Sequence, residues 1–211
     1  MSALHLTASE NKITFIKASD YKKSLWKNGQ GKTSEIAIHP AGATLEKEDF
    51  LWRFSSAEIS GDSNFSIFRN CDRLLTILSG KGIVMNDQPL TPLNIIQFSG
   101  DEKISCQLVQ DQVIDLGLIY KRDHVSAKMT VKTFSANADS HFLNLGEGTH
   151  LLFCVNGSFS VGDHVLNAND TLCVEGSYES AVKLHKPATY VHIKICEIKN
   201  KPTFCKLTNH G

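Results

Sequence analysis

The sequence predicts an all-β fold, and three observations predict it. Short runs rich in Val, Ile, Leu and Phe recur along the 211 residues, ended by Gly, Asn or Asp, which is the pattern of strands and turns. No segment sustains helical periodicity. The two halves also echo one another: Arg73-Leu-Leu-Thr-Ile-Leu-Ser-Gly80 matches His150-Leu-Leu-Phe-Cys-Val-Asn-Gly157 at an offset of 77 residues. With one residue deleted, the match continues through Pro92–Phe98 against Ala168–Val174 and Asp115–Tyr120 against Val191–Cys196. An ordered series of matched strands and turns points to two similar β-barrels in one chain, residues 1–125 and 126–211, packed as one unit. Antiparallel strands that close on themselves leave no exposed edge.

In chain order, the first half offers strands at Lys12–Lys17, Thr33–His39, Leu51–Ile59, Arg73–Leu78, Lys81–Met85, Asn94–Phe98, Ile104–Val109 and Val113–Tyr120. The second offers Ala127–Phe134, His150–Val155, Ser158–Val161, Thr171–Val174, Ser180–Leu184 and Tyr190–Glu197. Alternation puts Thr33, Glu35 and Ala37 on one face, and Arg53, Ser55 and Ala57 on one face of the next strand. It puts Asp115 beside Gly117, opposite Ile114, Leu116 and Leu118. The matched face of the second copy reads Val191, Ile193, Ile195, so the first barrel is expected to carry the site and the second to be structural.

Composition narrows the function classes. The chain is 41% hydrophobic and 21% charged, enough to bury a substantial core, and its 22 basic residues equal its 22 acidic ones. Without a basic run, nucleic acid is not an expected partner, because phosphate binding needs clustered cations; Lys121-Arg122 and Lys199–Lys201 read as solvated loop charges. Met1–Asn11 has no secretory pattern and no apolar run reaches membrane-spanning length, so a cytoplasmic protein without membrane contact is expected. Cys71, Cys106, Cys154, Cys173, Cys196 and Cys205 form no C-x-x-C pair, and several lie in apolar strands as reduced core thiols.

Trp26 to Glu35 reads Trp-Lys-Asn-Gly-Gln-Gly-Lys-Thr-Ser-Glu. It is not a phosphate loop: that motif needs four residues between its first glycine and the Gly-Lys pair and a helix afterwards, whereas Ile36-Ala37-Ile38 begins a strand. Between Gly61 and Gly80 the spacing resembles a cupin metal-binding motif, with Ile67, Arg69 and Arg73 at the ligand positions. An apolar side chain and two guanidiniums offer no lone pair to a divalent cation. The mouth of such a barrel is then built for something anionic or polar.

Trp26-Lys-Asn-Gly with Thr33-x-Glu35-Ile36, then Phe50-x-Trp52-Arg53-x-Ser55-x-Ala57, Phe65-Ser66-x-Phe68, Asp72-Arg73 and Asp115-Leu116 resemble, in order, the signature blocks of the HutD/Ves family. The likeness runs from about Tyr21 to Arg122 and more faintly beyond. It implies a metal-free cupin-type double barrel (bicupin), tied in one branch to histidine utilisation and the binding of a metabolite such as urocanate or N-formylglutamate. Carried over by residue, the pocket is Trp26, Asn28, Thr33, Glu35, Trp52, Arg53, Ser55, Phe65, Ser66, Phe68, Arg73 and Asp115. The chain departs from the family pattern at Arg69-Asn70, where Pro-Gly is usual, and at Gly117, where Asn is usual; Arg69 is expected to face solvent.

The leading expectation is a binding protein for a small organic acid, with no cofactor and no metal, in which Arg53 and Arg73 fork onto a carboxylate. Glu35 and Asp115 would accept N–H groups, and Trp26, Trp52, Phe65 and Phe68 would supply apolar walls. The rival is a metal-free isomerase or epimerase with Glu35 or Asp115 as general base, Arg73 at a developing oxyanion and His39 as a possible acid. His141, His150, His164, His185 and His192 lack cupin ligand spacing. A homodimer through the second half is a further possibility.

Overall fold

The computed structural model describes residues 11–26, 29, 31–135 and 141–198. In order the strands are β1 (Lys12–Ile16), β2 (Lys22–Leu25), β3 (Gly31–His39), β4 (Trp52–Ile59), β5 (Ser63–Asn64), β6 (Cys71–Ser79), β7 (Ile83–Met85), β8 (Gln88–Leu90) and β9 (Ile95–Ser99). They continue as β10 (Ser105–Leu108), β11 (Val113–Lys121), β12 (Val125–Phe134), β13 (His141–Leu145), β14 (Thr149–Val161), β15 (His164–Asn167), β16 (Thr171–Glu175) and β17 (Tyr178–Glu197). The described residues hold no α-helix, only a 3-10 turn at Ala18–Asp20. The fold is all-β, as the short apolar runs require.

Three sheets result. A six-stranded sheet runs β2-β3-β4-β11-β6-β9 and faces a four-stranded sheet, β5-β10-β7-β8. The third sheet runs β1-β16-β14-β17-β12, with β13 on β17 and β15 on β14. Alternation divides each strand between two apolar layers. Ile59, Leu75, Ile77, Ile83, Met85 and Val113 fill the space between the first two sheets. The third sheet curls round Leu152, Phe159, Leu166, Leu172, Val174 and Tyr190. The outer faces of the two large sheets pack on each other, Phe54, Leu74, Leu116 and Leu118 against Met129, Leu151, Phe153, Val191 and Ile193.

Several sequence expectations change here. β1 is an edge strand of the second-half sheet, paired with β16 from Lys12↔Glu175 to Ile16↔Thr171. Tyr21 Oη reinforces this, sharing a hydrogen bond with Thr171 Oγ1 at 2.8 Å, while Ala18 N–H donates to Asp170 Oδ1 at 3.1 Å. A boundary at residue 125 therefore does not separate the sheets. Each of the long strands β14 and β17 replaces two expected short ones, because a bulged ladder carries the pairing through the interruption. Gly157 makes this possible: its φ is +78° and a Cβ there would lie 2.0 Å from the Pro187 carbonyl oxygen.

Arg122 is not a solvated loop charge. It pairs with Asp72 at 2.8 Å and Asp101 at 2.7 Å and donates to Ser99 Oγ at 3.0 Å, clamping the ends of β6 and β9. Cys71, Cys106, Cys154 and Cys173 are buried free thiols and Cys196 is a half-buried one; Cys205 lies outside the described residues. Among the described residues no helix is long and apolar enough to cross a membrane.

The layer between the large sheets is where truncation should hurt most. Phe54 and Phe153 meet edge to face at 6.3 Å and are 0% and 1% exposed. Phe54→Ala is expected to cost about 3–5 kcal/mol in urea unfolding. Adding Phe153→Ala should cost less than the sum of the two singles, since both remove one contact.

Candidate functional site

The six-stranded sheet places the expected site residues in rows across its inner face. One row reads Ile38, Arg53, Ile119, Arg73, Phe98; the next Glu35, Ser55, Gly117, Leu75, Ile96; the third Thr33, Ala57, Asp115, Ile77. Six of the candidates, Thr33, Glu35, Arg53, Ser55, Arg73 and Asp115, thus share one face on four adjacent strands. A bulge between Glu35 and Ala37 shifts the β3 register. Ala37 therefore turns to the opposite face and packs on the inter-sheet layer, contrary to the simple alternation expected of Thr33, Glu35 and Ala37.

Each charge on this face has its own means of support. Arg53 is buried and its Nε donates to Glu35 Oε2 at 2.7 Å, while Nη1 donates to Ser55 Oγ at 3.3 Å. Arg73 lies among aromatic faces, its guanidinium carbon 4.6 Å from the Phe65 centroid, 5.1 Å from Phe98 and 5.8 Å from Phe68. Its Nη1 donates to the Ser66 carbonyl at 3.3 Å. Burial lowers the Arg73 pKa to about 10, partly offset by the Asp115 charge. Asp115 sits at a β-bulge, its Oδ1 accepting the Ala57 N–H at 2.8 Å. Burial raises its pKa to about 7, against the lowering effects of that hydrogen bond, Arg73 and Arg53.

The remaining candidates divide. Trp26 packs at the edge of the same apolar interior and donates from Nε1 to Thr33 Oγ1 at 2.8 Å. Phe65 and Phe68 frame Arg73, and Ser66 contributes its carbonyl rather than its exposed side chain. Trp52 does not join them. Adjacent to Arg53 on an extended strand, it must point the other way, into the inter-sheet layer, where it stacks on His39 at 5.6 Å. Asn28 lies outside the described residues. Of the three cupin ligand positions only Arg73 faces inward; Ile67 and Arg69 are exposed, as expected for Arg69. The space left by Gly117 is partly taken by Leu75, whose Cδ1 would lie 3.3 Å from a Cβ there.

Register corrects the comparison of the halves. Ile119↔Arg73 and Gly117↔Leu75 on β11 and β6 correspond to Lys194↔His150 and His192↔Leu152 on β17 and β14. The second-half counterparts of Arg73, Gly117 and Asp115 are therefore His150, His192 and Tyr190, not the Val191, Ile193, Ile195 face. A one-residue slip had exchanged the faces. His150 is 1% exposed, with Nδ1 2.9 Å from His192 Nε2 and Nε2 2.7 Å from the Gly146 carbonyl. That carbonyl can only accept, so His150 donates from Nε2 and receives a hydrogen bond from His192 when both rings are neutral. Burial pushes His192 down to about 4. Among the described residues no three His, Cys, Asp or Glu side chains converge as a metal site.

Sequence reasoning also missed a cleft of about 720 Å³ at the open end of the inter-sheet layer. It includes Trp52 and none of the other candidates. Its walls come from strands distant in sequence, so no local motif announces it.

Comparison with known proteins agrees with the all-β fold. The HutD family model matches residues 18–191. Protein Ves of Citrobacter koseri is 31% identical over 162 residues, covering 71% of this chain and 76% of that protein. The solved structure of HutD from Pseudomonas fluorescens SBW25 superposes with a TM-score of 0.76 at 28% identity, covering 89% of this chain and all of that one. A cupin 2 conserved barrel domain protein from Leptotrichia buccalis shares the fold at a TM-score of 0.53 and 11% identity, over 79% and 89% of the two chains. The chain thus has an all-β, cupin-like fold.

Two outcomes test the site. Glu35→Gln removes the charge facing buried Arg53 and is expected to cost about 3 kcal/mol in chemical unfolding, at the low end for a buried pair because Glu35 keeps some water. Asp115 holds a proton in the fold up to about pH 7, whereas an unfolded carboxyl loses it near pH ~3.9, so its contribution falls as pH rises between those values. His192 acts with the opposite sign, its depressed pKa making stability rise with pH between about 4 and 6.5. Asp115→Asn isolates the first effect: its melting temperature relative to the parent should rise from pH 4 to pH 8. A constant difference would contradict the assignment.

Proposed function

The chain belongs to the HutD family, and we propose that it is a metal-independent cupin-like protein that binds a small carboxylate metabolite on the inner face of its six-stranded sheet. The observation that carries this reading is Arg73. Arg53 and Arg122 are each bound to carboxylates, whereas Arg73 makes none of the described ion pairs and is framed by three phenylalanines. A guanidinium held between aromatic faces, with one N–H on the Ser66 carbonyl, keeps its other donors for a planar anion. The neighbouring Asp115, partly protonated near neutrality, can donate to a ligand oxygen or accept an N–H. A flat acid such as urocanate, or an amide acid such as N-formylglutamate, matches that mixture, in keeping with a regulatory part in histidine utilisation or a stress response.

We read the halves as two copies of a cupin unit in a bicupin arrangement, supported by the matched registers of β6 with β11 and β14 with β17. A homodimer through the second half belongs to this proposal and is read by light scattering. A second reading, a metal-free isomerase or epimerase, is favoured by one observation. Asp115, raised to about 7, is poised as a base near neutral pH, whereas Glu35 is occupied by Arg53.

Thermal shift with urocanate, N-formylglutamate, histidine, glutamate and divalent metals tests both. A carboxylate at a hundred times its dissociation constant is expected to stabilise the fold by about 2.7 kcal/mol. Arg73→Ala should abolish the response, each shift being measured against that variant's own unliganded melting temperature, which lost packing among the phenylalanines is expected to lower. An undiminished response in Arg73→Ala would overturn the binding assignment. Conversion of a bound acid, lost in Asp115→Asn with binding retained, would establish the enzyme reading.

A further inference from the structure

Where the two large sheets diverge, their shared layer opens into the cleft of about 720 Å³, within the size range of small-molecule sites. Register explains its walls. Ile13 and Phe15 of β1 pack into the second-half interior, so Lys12, Thr14 and Ile16 face the cleft, beside Cys173 and Glu175 of β16. The opposite wall is the outer face of the first-half sheet, where the rings of His39 and Trp52 lie stacked at 11°. One wall is therefore an aromatic pair in which Trp52 is largely buried, and the lining is mixed, with Ile16, Val125 and Ile195 beside Thr14 and Thr149.

The rim is acidic. Glu147, from the turn before β14, joins Glu175 at the end of β16 and Glu197 at the end of β17. Lys12 is the only Lys or Arg among the described lining residues, and it is bound to Glu175 at 3.0 Å. Ser177 Oγ donates to Glu147 at 2.6 Å, which orients that carboxylate without neutralising it. Glu197 makes none of the described ion pairs. The lining carboxylates thus exceed the lining cations by two, a balance partly offset by Lys194, whose side chain passes Gly146 and Gly148 on either side of Glu147; low-dielectric walls strengthen the remaining field at the mouth.

We propose that this cleft is a second binding site, for an organic ammonium ion with a flat apolar body. The ring would lie along the His39–Trp52 wall and the ammonium would point at Glu147 and Glu197. A bare metal ion is a poorer fit, since the carboxylates and thiols do not converge in sets of three among the described residues. A carboxylate is repelled by the rim. The site is independent of the Arg73 assignment, because it selects the opposite charge and shares none of its groups.

Calorimetric titration of the full chain at pH 7 with 2-phenylethylamine, and with 3-phenylpropionate as the anionic counterpart, tests the proposal. The amine is expected to bind at least tenfold more tightly. Glu147→Gln with Glu197→Gln should weaken it about tenfold, and Thr14→Phe, on an exposed strand position facing the cleft, should abolish it with the melting temperature retained. Arg73→Ala should leave it unchanged. Equal affinity for amine and acid, or indifference to the glutamine pair and to Thr14→Phe, would overturn the site. So would amine binding that fades as the chain dimerises in light scattering, which would give the cleft to a second copy.

Discussion

The apolar layer between the two large sheets is the constraint from which the rest of the molecule follows. Phe54, Leu116 and Leu118 on one side and Leu151, Phe153 and Ile193 on the other are essentially sealed from water. Once those residues face the layer, alternation obliges their neighbours to face the interior of their own half. Arg53 and Asp115 are buried inward for that reason, and Gly117 faces the same way, not because any local motif directs them there. The same constraint sends Trp52 away from the site: it shares a peptide bond with Arg53 and cannot share its face.

Placing two arginines, a glutamate and an aspartate on one inner face requires compensation for each. Arg53 and Glu35 neutralise one another across β3 and β4 at 2.7 Å. Asp115 receives one backbone N–H, which offsets only part of its burial, so its proton is released near neutral pH. Arg73 is supported by ring faces, which stabilise a cation without occupying its hydrogen-bonding edge. The result is a face on which Arg53 and Glu35 balance one another and Arg73 makes none of the described ion pairs. In the second half the matched positions hold a hydrogen-bonded histidine pair whose rings are kept neutral by burial, a different solution to the same geometry.

Much of this was legible in the chain. Short apolar runs gave the strand content, and the echo of Arg73–Gly80 in His150–Gly157 gave two equivalent central strands. Eleven of the twelve residues carried over from the family blocks fall within the described structure; six of them share one face of the six-stranded sheet, whereas Trp52 lies in the inter-sheet layer and the Ser66 side chain is exposed. Two of the failures have one physical source. A strand has a period of two, so a single inserted or deleted residue reverses every face beyond it. The bulge at Glu35/Ala37 and the slip between Asp115 and its second-half counterpart are both of this kind, and bulges leave no dependable mark in sequence.

What the sequence determined by itself is the period-two pattern: that the chain is built of strands, roughly where most of them lie, and that no cupin-spaced ligands remain between Gly61 and Gly80. Tertiary structure decided which alternating set faces which neighbour. It assigned β1 to the second-half sheet, moved Trp52 into the inter-sheet layer and opened a cleft between elements more than a hundred residues apart. Alternation is a property of one strand, whereas the choice of inward face depends on apolar surfaces contributed by strands the local sequence never meets.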